Sequence, residues 1–335
     1  MKLVTYELSG HSGPVQRVGA LVGDMVLDLN AGYAAYLGEV EGEPNAYALA
    51  QVRVPPSMIG LLEGEERTIS EARKTVDYLG ERLRRGDAPG GLRGETLFHQ
   101  ASAVRLLAPV PRPNTLRDWL CFEEHLKGAM EKGGGQMPEL WYKIPSCYKG
   151  NPCTVIGPDE EIWWPEWEDV LLDYECELGM YIGKKGRDIP VEDASRYIAG
   201  FTIFNDVSER TIEIKELSLW LGPIKGKDFD HGNVMGPCLV TPDELDFKSI
   251  TVTVRINGEF QVEGRAGDMY WSWEQLIAHA SKSTTLYPGD FFGSGTVGKC
   301  CGIDVGRFLQ PGDVVELEAS DIGVLRNRVV RRGPG

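Results

Sequence analysis

Between Ala108 and Asn114 the chain reads Ala-Pro-Val-Pro-Arg-Pro-Asn, with proline at three alternate positions. Proline fixes its own backbone angle, donates no amide hydrogen and pushes the residue before it out of the helical region. Neither a helix nor a central strand can run through such a stretch. The chain therefore has to change element here, and 108–116 is expected to be a linker between a small N-terminal domain, 1–107, and a larger one, 117–335. With 335 residues, 42% of them hydrophobic, there is material for one sizeable core beside a smaller one.

Ahead of the linker, 2–8 and 15–29 alternate as a hairpin or small meander, with Gly23-Asp24 at a turn. Residues 65–85 carry Ile69, Ala72, Val76, Leu79 and Leu83 at helical spacing and stop at Gly86. Beyond the linker, 116–132 is expected to be a helix through Trp119, Phe122, Leu126 and Met130, ended by Gly133-Gly-Gly135. The rest is mostly strand: 170–182, 197–204, a hairpin of 250–256 and 259–262 about Asn257-Gly258, then 290–293 and 314–319. Ser272-Trp-Glu-Gln275 is a capping box for a helix to about Ser283. The pattern is a β-rich α/β or α+β fold. No G-x-G-x-x-G follows a strand and opens a helix, which argues against dinucleotide binding.

A formal net charge of -15 argues against nucleic acid and anionic membrane surfaces as partners. Seven scattered cysteines without a C-x-x-C pair read as reduced thiols of a cytoplasmic protein. Glu7 interrupts what would be the apolar part of a leader, so no signal peptide is expected. No run approaches the roughly 20 apolar residues that cross a bilayer.

Two short segments carry the chemistry: Asp173-Tyr-Glu-Cys-Glu-Leu-Gly179 and Asn205-Asp-Val-Ser-Glu-Arg210. On a strand Glu175 and Glu177 share one face, while Tyr174, Cys176 and Leu178 pack on the other. If Asp206 joins them from a second strand, their repulsion is best relieved by a hard divalent cation.

These segments, with Gly226-Lys-Asp-Phe229, Gly236-Pro237 and Leu286-Tyr-Pro-Gly-Asp290, resemble the fumarylacetoacetate hydrolase family in order from about Pro109 to Val330. The similarity is to its fumarylacetoacetase and acylpyruvate hydrolase-like branch. It implies a mixed β-roll catalytic domain behind a small N-terminal β domain, and a homodimer. A divalent ion, Mg²⁺ first with Mn²⁺ or Ca²⁺ as alternatives, would be held by Glu175, Glu177 and Asp206. Asp118 matches a fourth ligand, its other reading being a helix cap. His125, two turns from Asp118 on the expected helix and about 10 Å along it, matches the catalytic histidine, and Glu316 the glutamate that orients it. Lys227 matches a catalytic lysine and Tyr148 a substrate-contacting tyrosine. Gly295 and Thr296, in Gly293-Ser-Gly-Thr296, match a loop suited to a substrate carboxylate.

The resemblance thus implies a metal-dependent hydrolase that cleaves a carbon–carbon bond in a small oxo acid of 1,3-dicarbonyl or acylpyruvate type. The alternative is a 2-oxo acid decarboxylase, isomerase or tautomerase, and beyond that a non-catalytic binding module. Some positions depart from the pattern. Glu213 stands where the family has a neutral amide, which disfavours an anionic substrate unless the side chain is protonated or paired. Gly134 replaces an arginine. Branches without hydrolytic chemistry pair the histidine with a glutamate three residues on, and Gly128 at that position favours the hydrolase.

Overall fold

In the computed structural model, which describes residues 1–10, 13–132, 135–219 and 222–332, one twelve-stranded sheet runs through both halves of the chain. Its order is Phe98–Gln100, Met25–Asp28, Gly13–Val22, Lys2–Gly10, Asn233–Val240, Ile198–Asp206, Cys176–Ile182, Phe291–Gly293, Leu116–Trp119 and Cys147–Gly150. Two short strands, Arg105–Leu106 and Val155–Ile156, attach to Lys2–Gly10 and Asn233–Val240. A second sheet of five strands contains Thr251–Ile256, Glu259–Arg265, Val314–Ala319 and Gly323–Val330. The architecture is mixed α/β and strand-rich, as expected. No helix of the described residues is long and apolar enough to cross a membrane.

Local signals explain several elements. The hairpin of Thr251–Ile256 and Glu259–Arg265 turns on Asn257 and Gly258, both at positive φ as a two-residue hairpin turn requires. Ser272 and Gln275 form the reciprocal capping box that opens the Trp273–Ser281 helix. The helix Glu65–Arg84 matches its expected span. Ahead of the linker three helices were not anticipated: Leu29–Val40, Ala46–Arg53 and Met58–Glu63. The first opens where Asp28 accepts a bond from the Ala31 amide at 2.8 Å and ends the strand before it. Leu29, Tyr33 and Leu61 of these helices belong to one buried cluster with Tyr181, Phe204 and Phe291, so the N-terminal helices seal one face of the central strands.

The segment 116–132 differs from expectation. Leu116–Trp119 is a strand, parallel to Phe291–Gly293 and antiparallel to Cys147–Gly150, and only Glu123–Lys132 is helical. The spacing of Trp119, Phe122, Leu126 and Met130 suits a helix, but pairing on both edges satisfies the backbone of 116–119 and buries Leu116, Asp118 and Trp119. Tertiary pairing outweighs local periodicity here. Asp118 is therefore neither a helix cap nor on one helical face with His125. Of the expected glycine stop, Gly133 and Gly134 lie outside the described residues.

Candidate active site

Strand register gathers the carboxylates at one end of the central strands. Gly293 pairs with both Gly179 and Asp118, Asp118 pairs with Tyr148, and Cys176 pairs with Asn205. Asp118, Glu177 and Asp206 thereby meet, with one oxygen from each lying within 4.8 Å of the others. Gly293 permits the approach, because a Cβ there would stand 2.3 Å from Asp118 Oδ1 and 2.9 Å from Glu177 Oε2. The Gly295 amide donates to the same two oxygens, at 3.1 Å each. Glu175 sits in the break between Leu172–Asp173 and Cys176–Ile182, joined to the group through Lys227, whose Nζ lies 2.6 Å from both Glu175 Oε2 and Asp206 Oδ2.

All four carboxylates are buried. Burial, against the lowering influence of Lys227 and the Gly295 amide, pushes the Asp118 carboxyl up to about 6. Burial and repulsion from Asp118 and Asp206 raise Glu177 well above the usual carboxylate range. Asp206 is raised in the same way despite Lys227. Burial opposes the charge on Lys227, but Asp206 and Glu175 outweigh it and hold its pKa well above the ordinary lysine value. Lys227 is thus a fixed cation and not a base. Glu177 Oε1 and Asp206 Oδ1 are buried with no hydrogen-bond partner. Acceptor oxygens of this kind, crowded and over-charged, fit a hard divalent cation, so Asp118, Glu177 and Asp206 are the residues that would hold one, while both Glu175 oxygens are engaged by Arg210 and Lys227.

Arg210 supplies the second buried positive charge. Its guanidinium donates to Asp173 at 2.8 Å, Glu175 at 2.6 Å and Glu213 at 2.7 Å. Glu213 is therefore paired, and its charge is taken up by Arg210. Neither Arg210 nor Asp173 was singled out from sequence, although Arg210 is the one basic residue between Asp206 and Glu213. Replacing Arg210 by methionine leaves the buried Asp173 and Glu213 without their counter-ion and Glu175 with Lys227 alone. The expected loss is about 3–5 kcal/mol, read as a lower midpoint of urea unfolding. A midpoint equal to wild type would show that the guanidinium does not carry this load.

Asp173 also accepts from the amides of Gly302 (2.6 Å) and Ile303 (3.0 Å), which fixes the short helix Gly302–Val305. That helix presents Asp304, whose Oδ2 lies 3.0 Å from His125 Nδ1. Burial works against the Asp304 charge, but the His125 contact outweighs it and holds the carboxyl down at about 2. Glu316 does not reach His125. It stands on Val314–Ala319 in the second sheet, with its carboxylate 3.4 Å from Arg326. The expectation that Glu316 orients the histidine is corrected: Asp304 does so. Gly128 leaves room for this, since a Cβ there would come within 3.3 Å of Asp304 Oδ1. His125 is 12% exposed at the side chain.

The other expected substrate residues divide. The Tyr148 hydroxyl donates to Asp206 at 2.8 Å, and burial with the Asp206 charge raises its pKa, so it stays protonated and braces a carboxylate. Gly295 serves the carboxylates through its amide. Thr296 Oγ1 is buried without a partner and is a polar atom free for a ligand.

Comparison with known proteins identifies relatives of the whole chain. The family model described as fumarylacetoacetate (FAA) hydrolase C-terminal matches residues 114–330. Oxaloacetate tautomerase Fahd2a, mitochondrial, of Rattus norvegicus is 32% identical over 282 residues, covering 83% of this chain and 80% of that protein. Oxaloacetate tautomerase YisK of Bacillus subtilis is 30% identical over 282 residues, covering 82% of this chain and 87% of its own. Among solved structures, fumarylacetoacetate hydrolase from Exiguobacterium antarcticum superposes with a TM-score of 0.69 at 24% identity, covering 99% of this chain and 100% of that one. Maleylpyruvate hydrolase from Sphingobium sp. SYK-6, in complex with manganese(II) and pyruvate, gives a TM-score of 0.68 at 20% identity, with coverage of 99% and 100%. At these identities the solved structures speak to the fold. These two sequence relatives, both oxaloacetate tautomerases, overturn the expectation of a carbon–carbon bond hydrolase. The absence of glutamate at Gly128, which had favoured hydrolysis, loses its force because Asp304 pairs with His125 from another element. With the family model covering well over half of its length, the chain belongs to the fumarylacetoacetate hydrolase family.

Proposed function

We propose that this protein interconverts the enol and keto forms of an oxaloacetate-type 2-oxo diacid, with Mg²⁺ held by Asp118, Glu177 and Asp206. The observation that carries this reading is the His125–Asp304 pair beside the carboxylate cluster. One residue able to move a proton adjoins one site able to bind an anionic oxo acid through a cation. The oxaloacetate tautomerases similar over most of the chain support it. A bound Mg²⁺ would supply Lewis-acid polarisation to the carbonyl side of the substrate. In the ketonisation direction C3 gains a proton and the C2 hydroxyl loses one, so the reaction is a balanced isomerisation. His125 serves C3, with Nδ1 engaged by Asp304 and Nε2 left for the substrate. Lys227, permanently charged, favours negative charge on the oxygen at C2. Thr296 Oγ1 is free to bind a substrate carboxylate.

The test is to add Mg²⁺-loaded protein to freshly dissolved enol-oxaloacetate and follow loss of the enol absorbance. Carbon dioxide and the cleavage of acylpyruvates are assayed in parallel. Accelerated ketonisation without either by-product supports the reading. Carbon dioxide released faster than the enol signal decays would replace it with decarboxylation.

A further inference from the structure

We infer that His125, Cys301 and Asp304 form a second, chemically different metal site, one that takes Zn²⁺ and stops the reaction by occupying the residue that transfers the proton. The three ligand atoms are already placed. Cys301 Sγ is 3.1 Å from Asp304 Oδ2 and 3.8 Å from His125 Nδ1, and that nitrogen is 3.0 Å from the same oxygen. Tetrahedral zinc binds sulfur at about 2.3 Å, nitrogen at about 2.0–2.1 Å and oxygen at about 2.0–2.2 Å, so its ligands stand roughly 3.4–3.6 Å apart. The three observed edges bracket that value, and shifts of a few tenths of an ångström would complete one face of a tetrahedron. The fourth position is left for water.

The donor set decides the metal. The neighbouring cluster of Asp118, Glu177 and Asp206 offers oxygen only and suits a hard ion. Sulfur, imidazole nitrogen and one carboxylate favour zinc over magnesium. The supporting contacts are in place as well. Asp173 binds the amides of Gly302 and Ile303, which fixes the backbone between Cys301 and Asp304. Lys132 Nζ lies 3.1 Å from Asp304 Oδ1, the oxygen that faces away from the thiol and the imidazole. Cys301 is buried and its thiol donates to Asp304, so binding must expel that proton: thiol plus Zn²⁺ gives zinc thiolate plus H⁺. Affinity should accordingly rise with pH. The vicinal Cys300-Cys301 pair has no part in the proposed reaction, and this site gives its second member a use.

The inhibitory half of the inference rests on the tautomerase reading, whereas the binding half does not, and one experiment separates them. Mg²⁺-loaded protein is titrated with Co²⁺ as a spectroscopic stand-in, then with Zn²⁺. One equivalent of Co²⁺ should produce a thiolate-to-cobalt charge-transfer band with the visible bands of tetrahedral cobalt, and Zn²⁺ should bleach both. Cys301→Ser and, independently, Asp304→Asn should lose the bands, while Cys300→Ser keeps them. On turnover, Zn²⁺ should inhibit wild type at saturating Mg²⁺, and Cys301→Ser should need at least about tenfold more, because losing a ligand costs no less than losing a ligand's support. No charge-transfer band in wild type, or the same band in Cys301→Ser, overturns the site. Those bands without inhibition overturn its regulatory role. A protein that shows the bands but no tautomerisation refutes the reaction and leaves the site standing.

Discussion

Replacing His125 by alanine is expected to lower the tautomerisation rate by about 10²–10⁴-fold while leaving Mg²⁺ affinity nearly intact. The magnitude is that of removing a positioned acid–base group, and the reason for unchanged affinity is spatial. His125 belongs to the Glu123–Lys132 helix and contacts Asp304 and Cys301, not Asp118, Glu177 or Asp206. Two further substitutions identify its partner. Asp304→Asn keeps a polar contact but removes the charge beside Nδ1, so kcat should fall with little change in KM. Glu316→Gln should leave turnover as it is, because that carboxylate faces Arg326 in the other sheet. Steady-state kinetics on the three variants with a Mg²⁺ titration is the measurement. Full activity in His125→Ala would remove it as the proton-transfer residue, and a loss confined to Glu316→Gln would restore the partner expected from sequence.

Removing the divalent cation with a chelator is expected to abolish turnover, and also to change how stability depends on pH. Burial raises the Asp118 carboxyl to about 6, and Glu177 and Asp206 move in the same direction. Between the unfolded values near 4 and these raised values the folded chain binds more protons than the unfolded one. Stability of the metal-free protein therefore falls as pH rises through that window and stays reduced above it. Glu175 runs the other way. Burial opposes its charge, but Lys227 and Arg210 hold its pKa well below the usual range, so its contribution is present above about pH 4 and is lost in stronger acid. A cation displaces the protons from Asp118, Glu177 and Asp206, so the gain in Tm on adding Mg²⁺ should be larger near pH 7.5 than near pH 5. Equal gains at the two pH values would mean that these carboxylates are not the ligands.

Glu177 was legible because its determinant is local. Alternation places Glu177 opposite the packed Cys176 and Leu178, and a strand can use that pattern in only one way. Asn257-Gly258 and the capping box at Ser272 are likewise complete within a few residues. The fold class and the family followed from such segments. Reaction type did not: it was carried over from the resemblance to one branch of the family and favoured at Gly128, where the expected partner of the histidine is supplied from elsewhere.

What only the tertiary structure decided shares one physical feature, distance along the chain. Leu116–Trp119 has the spacing of a helix but becomes a strand because Phe291–Gly293 and Cys147–Gly150 supply hydrogen bonds on both of its edges. Asp304 reaches His125 across 179 positions, on a helix that Asp173 pins from a third segment. Glu316 was matched by its surrounding residues, yet its strand belongs to the other sheet. The sequence by itself determined only that Glu175 and Glu177 could share a face, through a two-residue period; that Glu177 meets Asp118 and Asp206 was decided by strand register. Which base stands beside them, and which acid holds that base, depended on contacts between segments that no local period encodes.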